Sequence, residues 1–386
     1  MKLLRGQIRD YAWGSRQVIA QLQGRPVPSP GPEAELWLGD HCGAPATVLG
    51  SGVPLPELLA ADPEHWLGRP VLDRFGTRLP FLLKVLAADA PLSLQAHPDA
   101  EQARAGYARE QAAATAPAAR SYVDPHHKPE LLVALTPMDA LCGFQDPVVA
   151  AELFAAVDLP ALAPVVAALR QGPAGLAGVV RTLLTWPEDE RTALVEAAVA
   201  AELGASSKLV GDLAERYPGD PGVLVALLLN HVTLAPGEAI WMPAGNLHAY
   251  LRGAGVEILA ASDNVLRGGL TPKRVDVPEL LNVLRFEVLH DPVLRAEPLA
   301  PGLVRWPAPI EDFALHGVSL APGAPPVTID TPGPRVLLCH AGRLTVDDGL
   351  ETVTLSAGDA ALGPAAGTAL TIRGAGEAFV GTAGLW

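Results

Sequence analysis

A short stretch past the middle of the chain, GEAIWMPAGNLH at residues 237–248, places a proline, a glycine and a histidine in the spacing G-x5-P-x-G-x2-H. Proline followed two residues later by glycine is typical of a tight turn between strands, because proline fixes its own φ and glycine tolerates conformations that other residues avoid. The histidine comes directly after this turn. We therefore predict a strand–turn–strand unit in which His248 opens the second strand.

A second polar pattern lies earlier, in PLSLQAHP at residues 91–98. Ser93, Gln95 and His97 alternate there with Leu94 and Ala96. Residues two apart in a strand share one face, so the three polar side chains are predicted to point into one cavity while the apolar ones pack behind them.

The segment HHKPELLVAL repeats this pattern, with Lys128 and Glu130 two residues apart. A lone inward histidine is more often a hydrogen-bonded core residue, so the prediction depends on several such residues together. Two nitrogen and two oxygen donors suit zinc and leave room for a substrate oxygen. We predict one Zn2+ per chain, with four ligands: Gln95, His97, Glu130 and His248.

These motifs resemble those of known proteins. The spacing around His248 is similar to the second half of the metal signature of the cupins, small β-barrels in which this histidine points inward. The strings QAHP, HHKPE, PAGNLHAYL, VEILAASDNVLRGGLTPK, YAWGS and ELWLGDH resemble the motifs of the type I phosphomannose isomerase family, in order over about residues 10–290. Two departures are His126, where the family often has asparagine, and Arg252, where cupins carry asparagine. Neither removes a proposed ligand.

The resemblance implies a zinc enzyme that interconverts mannose 6-phosphate and fructose 6-phosphate. It implies the same four metal ligands, and Arg267 as the active-site arginine. It also implies a bicupin with a helical insertion, so the expected fold class is mainly β: two cupin (jelly-roll) barrels plus a helical domain. The predicted boundaries are residues 1–146 and 221–290 for the catalytic cupin domain, 147–220 for the helical insertion, and 291–386 for a C-terminal cupin-like barrel without a metal.

Local patterns agree with this division. Three runs between residues 147 and 217 have the amphipathic periodicity of helices, and the stretch at 99–114 has high helix propensity after a plausible N-cap, Asp99. GDAALGP at residues 358–364 repeats the G-x5-P spacing, with Ala369 where the first copy has His248. The metal chemistry is therefore assigned to the first barrel, and the helical segment is expected to wall or cap the pocket without taking part in the chemistry.

An aldose–ketose isomerase must move a proton between adjacent carbons, which requires a base. Glu257, Asp263 and His127 are the candidates, and the sequence does not choose among them. Lys128 is expected near the metal, where it would polarise an oxygen or relay a proton. The guanidinium of Arg267 would donate paired hydrogen bonds to a phosphate or an enediolate.

The phosphate requires further donors. Lys273 and Ser93 are the candidates, although a solvated loop is the alternative interpretation for Lys273. Lys84 lies in the apolar strand PFLLKVL and needs an anionic partner, either the substrate or a structural carboxylate. Trp13 is a candidate wall of the sugar pocket.

Composition limits the partners. A net charge of -14 argues against a nucleic-acid surface or an anionic membrane as partner. The longest plainly apolar run, VLVALLL, is too short to cross a bilayer. Three widely spaced cysteines predict reduced thiols and a cytoplasmic location. A monomer that binds a small sugar phosphate is the expectation, although sequence does not determine oligomeric state.

Three alternatives stay open. A cupin oxygenase with Fe2+ is disfavoured by Gln95, because such ligand sets are richer in histidine. The second alternative is a non-catalytic, metal-stabilised sugar-binding bicupin, and the third is a metal cupin isomerase that acts on another sugar phosphate.

Overall fold

The computed structural model describes residues 1–116 and 120–385, which fold mainly as antiparallel strands. The strands are β1 (Lys2–Arg5), β2 (Gln7–Arg9), β3 (Glu35–Leu38), β4 (Thr47–Val48), β5 (Phe81–Ala88), β6 (Gln95–Ala96), β7 (Glu130–Ala134), β8 (Met138–Phe144), β9 (Leu229–Leu234), β10 (Ala239–Met242), β11 (His248–Ala260), β12 (Leu266–Arg267), β13 (Val293–Leu294), β14 (Glu297–Ala300), β15 (Leu303–Trp306), β16 (Ala314–Leu320), β17 (Val327–Ile329), β18 (Arg335–Asp347), β19 (Thr352–Ser356), β20 (Ala360–Gly363) and β21 (Leu370–Thr382).

The helices lie between strands and in one continuous segment. They are α1 (Val18–Leu22), α2 (Leu55–Ala61), α3 (Pro63–Leu67), α4 (Arg69–Phe75), α5 (Ala100–Ala112), α6 (Pro147–Ala156), α7 (Ala163–Leu169), α8 (Leu176–Leu184), α9 (Arg191–Ala200), α10 (Ser206–Arg216), α11 (Gly222–Val225) and α12 (Val277–Val283). Within the described ranges, none of them is both long and apolar enough to span a membrane.

The long strand β11 organises the first sheet, whose main order is β13-β10-β7-β11-β5-β3-β2. Its C-terminal half pairs with β5 and β7, and its first residue, His248, lies opposite Gln95 of β6 and Cys142 of β8. The strand–turn–strand prediction is confirmed, because β10 and β11 flank the Pro-x-Gly turn.

The two faces of this sheet have different roles. Glu257 and Lys84 are cross-strand neighbours, and they line a cavity. Val256 and Val85 alternate with them and lie in a core shared with Phe379 of the second sheet. This two-residue alternation therefore puts the polar residues on the cavity side and the apolar residues between the sheets.

The second sheet has the main order β14-β15-β16-β21-β18-β20-β1-β4. The repeated G-x5-P spacing has the same local structure in both sheets: Gly237 (φ 87) precedes β10 and β11, and Gly358 (φ 86) precedes β20 and β21. Ala369 lies directly before β21, as expected for a second cupin barrel without the histidine. The predicted mainly β bicupin fold is confirmed.

Three strands cross the predicted domain boundaries. β1 and β4 fall within the range predicted for the catalytic barrel, but Lys2 of β1 pairs with Leu362 in the second sheet, and β4 pairs with β1. β13 lies beyond residue 290, but Ile240 of the first sheet pairs with Val293. Because backbone pairing across distant segments leaves no local signal, the predicted boundaries do not follow the sheets at these points.

The helical segment follows its sequence pattern. The predicted helices appear as α6, α7 and α9, and α5 begins after Asp99, whose side chain accepts hydrogen bonds from Glu101 N and Gln102 N. Most of the apolar run VLVALLL is helical: residues 223–228 lie in α11 and a short 3₁₀ turn, and Leu229 begins β9. Residues 223–229 are all buried, so the run lacks the polar face that gives a surface helix its periodicity.

Candidate metal centre and active-site cavity

Three buried side chains converge at one end of the first sheet: His97 after β6, Glu130 at the start of β7 and His248 at the start of β11. Their ligand atoms lie within 4.8 Å of one another. His97 Nε2 is 3.4 Å from Glu130 Oε1, and His248 Nε2 is 3.3 Å from Glu130 Oε2. The three are therefore close enough to bind one cation.

Backbone carbonyls orient both imidazoles. His97 Nδ1 lies 2.7 Å from the carbonyl oxygen of Asn264, and His248 Nδ1 lies 3.0 Å from that of Asn246. A carbonyl only accepts, so each Nδ1 carries the proton and each Nε2 presents a lone pair to the cluster.

The cluster has the chemistry of a metal site. Both Nε2 atoms and Glu130 Oε2 are buried without a hydrogen-bond partner in residues 1–116 and 120–385. Burial lowers the pKa of His97 to about 4, so its imidazole is neutral at pH 7. Burial alone would raise the pKa of Glu130, but the nearby Lys128 and His97 lower it well below its usual range. The neutral imidazole of His97 and a carboxylate with an unused lone pair fit a divalent metal.

Gln95 and Lys128 flank this centre. Gln95 lies opposite His248 in the ladder and lines the cavity, while Leu94 and Ala96 are fully buried, as the alternation predicted. The ordered strand β6 is shorter than the pattern suggested. Lys128 Nζ lies 2.9 Å from Glu130 Oε1, so its ammonium is beside the ligand set.

A buried charge network forms the adjoining wall. Lys84 Nζ lies 3.4 Å from Glu35 Oε1 and 3.2 Å from Glu257 Oε2. Of the two partners left open by the sequence, the structure therefore shows the structural carboxylates. Trp37 Nε1 donates to Glu35 Oε2 at 2.8 Å, and the Tyr250 hydroxyl donates to Glu257 Oε1 at 2.7 Å.

The network also sets protonation. Burial opposes the charge of Lys84, but Glu35 and Glu257 outweigh it and raise the pKa of Lys84. The pKa of Glu257 is raised by burial, which the Lys84 charge only partly offsets. A carboxylate with a raised pKa is suited to accept and return a proton near neutral pH.

Removal of one hydrogen bond from this network has a measurable cost. Tyr250→Phe is expected to destabilise the protein by about 1.5 kcal/mol. Glu257 loses a buried hydrogen-bond donor, while the phenyl ring still fills the space of the tyrosine ring. Urea unfolding measures the change in free energy. The matched control is Tyr107→Phe, on the half-exposed side of α5, which should stay within about 0.5 kcal/mol of the parent. Equal effects of the two substitutions would contradict this account of the network.

The cavity has a volume of about 1060 Å³ and extends from the metal cluster toward the helical segment. Arg267 and Lys273 both line it, and so does Ser93. Arg267 lies opposite Gln95 in the ladder, so one strand separates it from His248. The charge of Arg267, more than burial, lowers the pKa of Lys273, which indicates that the two cations lie close together.

The helical segment walls this cavity, as predicted. Leu184, Arg191, Arg216 and Tyr217 contribute to the lining. Arg191 is half-buried, and its Nε donates to the carbonyl of Trp186 at 3.0 Å. Two cations from this segment therefore add to the positive potential around the cavity.

Two of the three candidate bases form ion pairs or hydrogen bonds with other residues. His127 is not among the residues that line the cavity, and its Nε2 lies 3.0 Å from Asp312 Oδ2 of the C-terminal half. Asp263 lines the cavity but is half-exposed and pairs with His41 Nε2 at 3.0 Å. Glu257 is the candidate that is both buried and in the cavity wall.

The sequence interpretation missed part of the wall. Trp13 lines the cavity as expected and stacks on Tyr11 at a centroid distance of 5.7 Å. Trp37 is buried and also lines the cavity beneath Lys84. Glu35 was missed altogether. Its position two residues before Trp37 in ELWL is a signal that could have found it, because such residues share a face.

Known proteins with similar sequences and structures agree with this geometry. Residues 1–147 match the family model described as phosphomannose isomerase type I, catalytic domain. Mannose-6-phosphate isomerase of Escherichia coli is 37% identical over 98% of both chains. The crystal structure of a point mutant of phosphomannose isomerase from Salmonella typhimurium superposes with a TM-score of 0.91 at 33% identity over 100% of both chains.

A further crystal structure, of a mannose 6-phosphate isomerase bound with zinc and yttrium, has a TM-score of 0.91 at 33% identity and covers 99% of both chains. Identity above 30% across nearly whole chains, with the same fold, excludes a resemblance limited to a few motifs. The chain belongs to the type I phosphomannose isomerase family.

Proposed function

We propose that this protein is a zinc-dependent aldose–ketose isomerase that interconverts mannose 6-phosphate and fructose 6-phosphate. The observation that carries the proposal is the convergence of His97, Glu130 and His248 at the end of a cavity also lined by Arg267 and Lys273. A passive sugar-binding protein does not need a metal cluster, a buried carboxylate with a raised pKa and a phosphate-binding pair of cations in one cavity. The relatives are named for their substrate, mannose 6-phosphate, and we take the identity of the sugar from that name.

Zinc is the proposed metal, one ion per chain, as in the related structure bound with zinc and yttrium. His97, His248 and Glu130 would hold it, and Gln95 would supply an additional oxygen from the strand beside His248. When bound, zinc supplies Lewis-acid stabilisation of the negative charge that develops in the enediolate. Lys128 would polarise a substrate oxygen from its place beside Glu130.

Glu257 is the proposed general base. Lys84 and Tyr250 hold its two oxygens, so the carboxylate has a defined orientation in the cavity wall. Its raised pKa favours return of the proton to the neighbouring carbon after the transfer. Lys84 acts here as a positioning residue.

The phosphate would lie at the end of the cavity formed by Lys273, Ser93 and the backbone near Gly269. Trp13 would form a wall against the sugar. We further propose that the protein is a cytoplasmic monomer with no nucleic-acid partner, in line with its acidic charge and its thiols, which are free among the described residues.

Purified zinc-loaded protein, incubated with mannose 6-phosphate and assayed for fructose 6-phosphate, tests the function. Conversion in both directions, with solvent deuterium entering the product, supports isomerisation through an enediolate. Binding of the sugar phosphate without turnover would favour the non-catalytic alternative. If a different sugar phosphate is converted with a higher kcat/KM than mannose 6-phosphate, the alternative of an isomerase with another substrate would be favoured.

Arg267, one of the two cations of the proposed phosphate site, is proposed also to stabilise the transition state from its position beside Gln95. Arg267→Lys is expected to lower kcat by on the order of 10²-fold, because an ammonium cannot reproduce two parallel guanidinium hydrogen bonds. Steady-state kinetics on the zinc-replete variant provide the measurement. If KM rises while kcat survives, Arg267 holds the phosphate in ground and transition states alike. Wild-type values for both constants would reject a functional role.

A further inference from the structure

The cations of the proposed phosphate site belong to one short loop, residues 267–273, here called the cation loop. Arg267 ends β12, and Lys273 follows a turn in which its backbone N–H donates to Thr271 Oγ1 at 3.1 Å. Both side chains line the cavity, yet Lys273 itself is exposed. The position of its ammonium therefore depends on how the backbone of the loop is held.

One side chain from the end of the helical segment holds that backbone. Asp220 Oδ2 accepts a hydrogen bond from Thr271 N at 3.0 Å, and its Oδ1 accepts one from Gly222 N at 2.7 Å. The carboxylate thus joins the turn at 217–222 to the cation loop. Asp220 also lines the cavity.

Close packing of the two backbones reinforces the connection. Gly269 has φ +116, and a Cβ there would lie 2.7 Å from the Cα of Gly222. A Cβ at Gly222 would lie 2.6 Å from Leu270 N. Each position therefore requires glycine, because neither backbone has room to retreat from the other.

The next residue is in a conformation that requires external support. Leu270 has φ 54 and is almost fully buried. A non-glycine residue in the left-handed region costs about 1–3 kcal/mol and persists only where its surroundings determine it. Hydrogen bonds on the other side of the loop, Gly268 N to Leu94 O at 2.8 Å and Leu94 N to Gly269 O at 3.1 Å, tie it to the strand of Gln95. On the far half of the loop, Asp220 constrains the backbone through Thr271 N.

We propose that Asp220 is a positioning residue for phosphate recognition: through Thr271 it sets the conformation of the cation loop and hence the place of Lys273. The inference rests on the proposed phosphate site. It gives the helical segment a role in substrate affinity beyond that of a wall. Tyr217 supports the same turn, because its hydroxyl donates to Pro91 O at 2.8 Å, in the segment that carries Ser93 and leads into β6.

The test compares three variants as zinc-loaded enzymes. Asp220→Ala removes both acceptor oxygens and is expected to raise KM for mannose 6-phosphate about tenfold while kcat stays within about twofold. Asp220→Asn keeps one acceptor oxygen and should raise KM by about threefold. The matched control, Asp212→Ala, removes an exposed carboxylate of α10 that pairs with Lys208, and should leave both constants unchanged.

A merely structural role predicts a different result. Loss of folded enzyme would lower kcat per total protein at unchanged KM, with a lower melting temperature and less bound zinc. That result would overturn the inference, and so would wild-type kinetics of Asp220→Ala. Inhibition by inorganic phosphate provides a second measurement, because in Asp220→Ala the Ki of phosphate should rise in parallel with KM.

Lys273→Met separates the inference from the function on which it rests. If Lys273→Met leaves KM unchanged, the proposed phosphate site is wrong. If it raises KM but Asp220→Ala does not, only the positioning role fails. If Asp220 acts through Lys273, adding Asp220→Ala to Lys273→Met should raise KM by less than about twofold, whereas full additivity would contradict the route through Lys273.

Discussion

Treatment with a chelator is expected to lower kcat by at least about 10³-fold, roughly 4 kcal/mol, and added Zn2+ to restore it. The reason is the buried cluster of His97, Glu130 and His248, whose inward atoms lack hydrogen-bond partners in the described chain. Without a cation, the developing charge of the enediolate has no equivalent stabilisation in the low-dielectric cavity. Metal analysis and kinetics on the same samples measure both quantities.

Variants of the cluster should behave like the chelated protein. Glu130→Ala and His248→Ala are expected to lose bound zinc as well as activity, since each removes a ligand. His231→Ala, at an exposed position of β9, is the matched control and should retain both. A metal-free protein with full activity would refute the zinc assignment.

Glu257→Gln is expected to lower kcat by on the order of 10³-fold with zinc content intact, because an amide of equal size cannot accept the proton. In the parent enzyme, the base works only when deprotonated, so kcat should fall as pH drops through the pKa of Glu257. That pKa is raised by burial, so the fall should begin above the usual range of a carboxyl group. A pH–rate profile and solvent-deuterium incorporation measure the step.

Asp263→Asn is the comparison for the base. Asp263 lies in the same cavity, but it is half-exposed and paired with His41. The substitution should leave deuterium incorporation within about threefold of the parent. If instead Asp263→Asn abolishes exchange and Glu257→Gln does not, the roles of the two carboxylates must be reversed.

The site could be predicted from sequence where it depends on local periodicity. Residues two apart on a strand share a face, which was enough to group Gln95 with His97 and Lys128 with Glu130. The tight turn before His248 then predicted that this histidine lies at the start of a strand, β11. The structure brings His97, Glu130 and His248 together, and the roles assigned to them stay predictions until the variants are measured.

The rest of the site depends on contacts between distant segments. Lys84 contacts Glu35, which is 49 positions away in the chain, and Glu257, which is 173 positions away. Asp220 reaches Thr271 from a segment whose own pattern describes only helices and a turn. Such contacts follow from sheet order and loop packing, which a single sequence does not encode in any local spacing.

His127 shows the opposite error. It was one of the three candidate bases, but adjacent residues of an extended chain such as His127 and Lys128 point to opposite sides. Its imidazole turns away from the cavity to Asp312. The local rule that grouped Lys128 with Glu130 therefore also excludes His127 from their face.

The pairing of β1 with β20 bears on how the chain is made. Lys2 lies opposite Leu362, so the edge of β1 that faces β20 finds its partner only after a long further stretch of chain has been synthesised, whereas its other edge pairs with the nearby β4. Until then its unpaired backbone groups are open to wrong partners. Contacts of such long sequence separation also slow folding, since the loop must close before the pairing contributes any stability. The second sheet, which contains β1, is therefore expected to complete its folding only after its C-terminal strands have been synthesised.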